Sequence, residues 1–351
     1  MAVDETKLQE LIGKLLGDAG AAMGIGLVLL GDKFGLYKTL AAAGPLTPAE
    51  LASRTGTAAR YVSEWAAAQA ASGYINFDAA TERFSISSEQ ALVLADENGP
   101  AFFPAMFEIA AAAARDLPKV EAAFSTGRGV GWHEHDACLF RGAERFFRPG
   151  YATHLVSEWI PALEGVKEKL ERGAHVADVG CGHGASTVLL ARAFPKSRFS
   201  GFDYHGPSIE RARELAREGG VADRVTFERA SAKEFPGTYD LIAFFDCLHD
   251  MGDPRGAAAH VRSALKPDGT WMIVEPFAGD RVGDNLNPVG RLFYAASTQI
   301  CVPASLSQEV GLALGAQSGE NRLREVILNG GFSRVRRATA TPFNMVLEAR
   351  L

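Results

Sequence analysis

The spacing of apolar and polar positions changes twice along the chain. The first stretch is Ala-rich with helical periodicity. In it, Leu46-Thr-Pro-Ala-Glu-Leu-Ala52 opens a helix with a Thr cap, Pro at the first helical position and an acid at the third. Arg60–Ala71 predicts a second helix, and Gly73-Tyr-Ile-Asn-Phe77 with Arg83-Phe-Ser-Ile86 predicts a short hairpin. Residues 98–165 are aromatic and irregular in pattern. From 166 onward, short apolar runs alternate with amphipathic stretches, the pattern of a parallel α/β sheet. The runs are His175–Val179, Arg198–Asp203, Arg224–Glu228, Tyr239–Phe245 and Thr270–Val274. Helices are expected at Ala185–Phe194, after Pro207, at Pro254–Leu265 and at Asn321–Leu328, with a turn at Lys266–Gly269. A long insertion covers 277–319. Two last strands, Ser333–Ala338 and Asn344–Glu348, can pair through Thr341-Pro342. The pattern divides the chain into a helical, winged-helix-like domain (1–97), a helical aromatic connector (98–165) and an α/β domain (166–351).

Composition narrows the classes without naming a function. Apolar residues make up 47% and charged ones 22%, a globular balance, and the net charge of −6 gives no global pull toward nucleic acid or anionic lipid. The first residues are acidic and carry no secretory signal. The longest apolar run, between Asp18 and Asp32, is shorter than the ~20 residues a membrane span needs, so no membrane association is expected. Cys138, Cys181, Cys247 and Cys301 are scattered, without zinc-type spacing. They read as free thiols of a cytoplasmic protein, and no metal is expected.

The clearest chemistry begins where the first α/β strand ends. Asp178-Val-Gly180-Cys-Gly182-His-Gly184 places glycines between a strand and a helix, where free backbone N–H groups suit an anionic group. Alone, such a loop serves S-adenosylmethionine (SAM), a nucleotide or a bare turn. Asp203, about 20 residues on, closes the next strand, where a carboxylate can accept both ribose hydroxyl protons. Its neighbour Tyr204 offers a ring face for adenine, or is a surface aromatic.

With these residues in order, the last 185 or so residues resemble class I SAM-dependent methyltransferases. The resemblance implies a Rossmann-like seven-stranded sheet with one antiparallel strand, and SAM as cofactor. It also implies a cofactor site built from Asp178, Gly180, Cys181, Gly182, Gly184, Asp203, Tyr204, Ser231, Ala232 and Asp246. Ser231 stands where the family usually has an acid. Over nearly the whole chain, Val179–Thr187, Asp246-Cys-Leu-His-Asp-Met-Gly-Asp-Pro254 and Ser307-Gln-Glu-Val-Gly311 are similar to a group of actinobacterial methyltransferases with an N-terminal winged-helix-like region.

Leu248-His249-Asp250-Met-Gly-Asp253 further resembles the motif of plant-type small-molecule O-methyltransferases, whose His is the general base. That resemblance makes His249 the base and Glu275 its orienting acid, with Glu309 or Glu320 as candidates for a third acid. A His-Asp pair in this position can also cap the next helix or close the cofactor pocket. Trp132-His133-Glu134-His135-Asp136 is the other cluster. As a strand it would set His133 and His135 on one face, two ligands and no third, so it reads as acceptor-pocket wall or as structural hydrogen bonding. Trp132, His133, His135, Phe146 and Tyr151 are the candidate pocket residues, with ordinary core packing as the alternative.

A winged-helix order invites a DNA-binding reading, but residues 1–97 hold seven basic against twelve acidic side chains. DNA-reading surfaces are basic. The plant-type enzymes use this region to dimerise, which implies a homodimer here. The expected function is methyl transfer from SAM to a small, partly apolar acceptor, at oxygen. A SAM-sensing regulator and a SAM-binding enzyme that transfers no methyl are the alternatives.

Overall fold

The computed structural model describes residues 3–351, which form two compact units. The first comprises residues up to 111 with 141–149. It opens with a 29-residue helix, Glu5–Lys33, capped by Asp4, whose carboxylate accepts from the Thr6 and Lys7 amides. Helices Pro48–Thr55 and Ala59–Ala71 follow, the former with the expected capping box between Thr47 and Glu50. The hairpin is β1 (Asn76–Asp78) against β2 (Arg83–Ser85). Tyr37, Leu40, Leu51, Val62, Trp65 and Ile75 form the core of this unit. Arg145 ties it further, reaching Asp32 at 2.8 Å, Glu97 at 3.0 Å and Glu108.

One expectation is corrected in this half. The apolar run does not stop at Asp18, because Lys14 pairs with that carboxylate at 2.6 Å one turn earlier and the helix runs through. Helix Glu5–Lys33 is therefore long and apolar enough to cross a membrane, with a mean hydropathy of 1.5 over an 18-residue window that is 6% buried. The stretch from 98 to 165, expected as a helical aromatic connector, holds helices Pro104–Arg115, Leu117–Thr126 and Ala137–His154, then a π-turn at Leu155–Trp159.

The second unit, 112–140 with 150–351, is built on a seven-stranded sheet. Its strands are β3 (His175–Val179), β4 (Arg198–Asp203), β5 (Val225–Arg229), β6 (Tyr239–Phe245), β7 (Leu265–Pro276), β8 (Arg334–Ala340) and β9 (Asn344–Arg350), in the order β5-β4-β3-β6-β7-β9-β8. All pairings are parallel except those of β9, which is antiparallel to β7 and β8. Central strands sandwiched by helices must be apolar on both faces. Accordingly Ile242, Ala243 and Phe244 of β6 and Trp271–Val274 of β7 are fully buried. Lys266–Gly269 is not a free turn. It bulges within β7, where Leu265 pairs with Tyr239 and Thr270 already pairs with Leu241. The 277–319 insertion contains helices Pro288–Ala296 and Val302–Leu306, joined by a π-turn at Ser297–Cys301. Strand order reverses between β3 and β6, and open α/β sheets bind ligands at the carboxyl ends flanking such a switch point.

Candidate active site

The glycine loop leaves β3 at that switch point. Gly180, Gly182 and Gly184 all have positive φ, at 75°, 51° and 79°. A Cβ at Gly180 would stand 2.7 Å from the Cys247 sulfur, and one at Gly184 2.6 Å from the Phe227 ring, so the turn admits only glycine there. The Gly182 amide donates to Asp203 Oδ2 at 3.0 Å, and the His205 amide to Oδ1 at 2.8 Å. Asp178 is buried. Its Oδ2 accepts from the Ser186 and Thr187 hydroxyls, each at 2.6 Å, while its Oδ1 has no hydrogen-bond partner. Burial pushes Asp178 up to about 6, against the pull of those two hydroxyls. Cys181 is buried in the same turn, and burial raises its thiol well above the ordinary value. Tyr204 is 40% exposed, with the His133 ring edge-on to it at 6.3 Å. The Ala230 amide donates to the Asp203 carbonyl at 3.1 Å, bringing Ser231 and Ala232 alongside the end of β4. Ser231 donates locally to Glu234 at 3.3 Å.

The residues after β6 carry the other half. Asp246 has φ +50°, a strained value for a residue with a Cβ. Two side chains brace it: the Tyr151 hydroxyl donates to Oδ2 and the Asn344 amide to Oδ1, both at 2.8 Å. Burial, with Glu275 nearby, pushes Asp246 up to about 7. Three residues on, His249 is buried with Nδ1 against Glu275 Oε2. Glu275 Oε1 accepts the Leu248 amide at 2.9 Å, which fixes the carboxylate. His249 Nε2 lies 3.2 Å from Asp250 Oδ1. Burial opposes the imidazolium, yet Asp250 and Glu275 outweigh it and lift His249 well above its ordinary pKa. The next helix is capped by Asp253, whose carboxylate accepts the Gly256 amide at 2.8 Å, so His249 and Asp250 are not its cap.

The remaining candidates separate. Trp132–Glu134 is a 3-10 turn, not a strand, so its histidines do not share a face. His133 meets Tyr204, whereas His135 is buried with Nδ1 2.9 Å from Asp116 Oδ2 and Nε2 unpartnered. Trp132 packs edge-on to Phe140 at 5.6 Å. Phe146 belongs to the first unit, against Phe103 at 6.0 Å. Neither third-acid candidate stands by His249. Glu309 is exposed and pairs with Lys233, and Glu320 pairs with Arg324 and Arg337. Ser186 and Thr187 lay within the glycine motif, so their spacing from Asp178 could have found them. Asn344, Asp116 and Cys301 come from distant segments and left no local signal.

The donor set fits SAM. The unpartnered Asp178 oxygen suits a cationic group, Asp203 a ribose diol and Tyr204 a ring face. Residues 170–308 match the model of a methyltransferase domain, and 21–96 that of an Rv2258c-like winged HTH domain. The 27-O-demethylrifamycin SV methyltransferase of Amycolatopsis mediterranei is 31% identical over 107 residues, 30% of this chain and 39% of that protein. The first curated relatives that this chain matches align over 5% to 58% of their own length, so the chain spans only part of them. Solved structures match end to end. The mitomycin 7-O-methyltransferase MmcR does so with TM-score 0.71 and 19% identity, covering 99% of both chains. Human N-acetylserotonin methyltransferase, in complex with SAM, gives TM-score 0.72 and 16% identity, covering 100% of this chain and 99% of that one.

Proposed function

We infer, from a chain that carries a class I methyltransferase domain behind a winged-helix domain, that it is an enzyme methylating an oxygen of a small, partly apolar acceptor with SAM as donor. The observation that carries the oxygen assignment is the buried His249–Glu275 pair at the end of β6, beside the cofactor loop. When bound, SAM supplies an electrophilic methyl group on a sulfonium. The protein's part is to hold the acceptor in line and take its proton. Positioning contributes on the order of 7–11 kcal/mol and a placed base ~10²–10⁴-fold.

Glu275 holds the Nδ1 proton of His249, leaving Nε2 to receive the acceptor's proton. Because Nε2 also faces Asp250, that carboxylate stabilises the imidazolium formed when the proton arrives and so sets the strength of the base. Asp246, braced by Tyr151 and Asn344, and Asp178 present carboxylates to the donor's cationic end. Trp132, His133 and His135 wall the acceptor side, His135 fixed through Asp116.

The first unit serves association between copies in the cytoplasm. Helix Glu5–Lys33 exposes Leu8, Leu11, Ile12, Leu15 and Leu16, an i, i+3, i+4, i+7, i+8 stripe suited to a second helix. Flanking Glu5, Lys7, Glu10 and Lys14 suit an aqueous pairing better than a membrane span. DNA binding is disfavoured: Val62, Trp65, Ala66 and Gln69 of helix Ala59–Ala71 are buried, and its single arginine pairs with Glu64. The test is transfer of labelled methyl to a fractionated extract, with alkaline stability of the product separating ether from ester. Label on nitrogen or carbon only would overturn the oxygen assignment.

A further inference from the structure

Cys301 takes no part in the reaction above, yet it lies against its base. One ring nitrogen of His249, an Asp250 carboxylate oxygen and Cys301 Sγ lie within 4.8 Å of one another, and Nε2 is the nitrogen that faces Asp250, 3.2 Å from its Oδ1. All three are electron-rich, and Asp250 Oδ1 is buried without a hydrogen bond. We propose that His249, Asp250 and Cys301 form a binding site for a thiophilic divalent cation of the zinc class.

The donor set selects the ion. One imidazole, one carboxylate and one thiolate suit zinc, whereas magnesium and calcium require several oxygens. Three protein ligands leave a fourth tetrahedral position, the arrangement of reactive rather than purely structural zinc sites. The second shell is already built. Glu275 holds the other nitrogen of His249, the carboxylate–histidine pairing that orients a ligand imidazole.

The ligand spacing is fixed by the backbone around it. Cys301 ends the π-turn Ser297–Cys301, a local irregularity often found at functional sites. The helix that follows is fastened to the Asp250 loop: Ser305 donates to the Met251 carbonyl at 2.8 Å, Gln308 to the Asp250 carbonyl at 2.9 Å. The site is thus held together without an ion. Binding replaces the Cys301 thiol proton, which leaves to solvent. It also takes the His249 lone pair that receives the acceptor's proton. Occupancy therefore inhibits methyl transfer, a consequence that rests on the proposed reaction, whereas binding does not.

The experiment is a titration of the chelator-treated full chain with Co²⁺ alone, followed by displacement with Zn²⁺. A thiolate-to-cobalt charge-transfer band saturating at one equivalent is expected, and Zn²⁺ should remove it. Cys301→Ser should lose the band while keeping its thermal melt and SAM affinity; Cys138→Ser, at a half-buried cysteine elsewhere, should keep it. Glu275→Gln should weaken binding ~10–100-fold through the second shell. No band in the wild type, or a band that survives Cys301→Ser, overturns the site. The readout needs no acceptor, so a cobalt band in a protein that transfers no methyl would overturn only the proposed reaction.

Discussion

Glu275→Gln isolates the orientation of the base with almost no change in volume. Glu275 is 1% exposed and accepts two N–H groups, from Leu248 and from His249 Nδ1. A glutamine has one acceptor oxygen. If that oxygen keeps the Leu248 amide, its NH₂ faces Nδ1, and His249 must move its proton to Nε2. The nitrogen that should receive the acceptor's proton is then blocked. A wrong tautomer at a comparable histidine–carboxylate pair lowers kcat by ~10⁴, and loss of a general base alone by ~10²–10⁴. The expected loss here is on the order of 10²–10⁴ in kcat, or about 3–5 kcal/mol. SAM affinity should stay within a few-fold, because Asp178 and Asp203 make their hydrogen bonds without Glu275. Methyl transfer to the acceptor fraction gives the rate, calorimetry gives SAM affinity, and ¹⁵N shifts of selectively labelled histidine read the tautomer. A variant with wild-type kcat, or with the tautomer switched and the rate unchanged, would refute the assignment of His249.

Asp203→Ala removes the acceptor of the Gly182 and His205 amides as well as a ribose partner; calorimetry should show SAM binding weakened on the order of 10²-fold with the fold intact by circular dichroism. SAM binding should weaken as pH falls through about 7 and then about 6, because Asp246 and Asp178 must ionise to meet a cation; calorimetry across pH 5–8 reads it, and a flat profile contradicts the assignment of both. Raised folded-state values favour the cofactor-free fold below the ordinary carboxylate pKa near 4, and that contribution is lost as pH rises through about 6 and 7, so melts of the free protein should drop over that window. Asp250→Asn removes an anion facing His249 Nε2 and should move the acid limb of kcat/KM to lower pH; an unmoved limb contradicts the coupling of Asp250 to the base. Leu15→Glu with Leu16→Glu, at 58% and 73% exposure, should convert a dimer to monomers by light scattering; a wild type that is already monomeric at micromolar concentration contradicts the pairing.

Most of the α/β half was readable because buried parallel strands must be continuously apolar. Tyr239–Phe245 was therefore found to the residue, and Arg198–Asp203 was matched as closely despite polar residues at three of its positions. Lys266-Pro-Asp-Gly269 has the composition of a turn, but pairing on either side, Leu265 with Tyr239 and Thr270 with Leu241, absorbed it as a bulge. The long N-terminal helix escaped because Asp18 looked like an end, when a neighbouring lysine one turn away satisfies it. At the site, His249 and Glu275 were singled out by the resemblance of Leu248–Asp253 to the plant-type motif, and they meet because β6 and β7 are neighbours. Asn344 on Asp246, Asp116 on His135 and Cys301 near His249 depend on segments 19 to 98 residues apart, which only the folded chain brings together. Glu309 and Glu320, the candidates for a third acid, pair instead with Lys233 and with Arg324 and Arg337.

The measurement closest to the central claim is methyl-label transfer from SAM into a fractionated extract, run in parallel on the wild type and His249→Ala with SAM binding measured for both. The account predicts label in an oxygen-linked product of a small organic fraction, reduced at least ~100-fold in the variant at unchanged SAM affinity. Equal labelling by the two proteins, or tight SAM binding by the wild type with no transfer to any fraction, would contradict it.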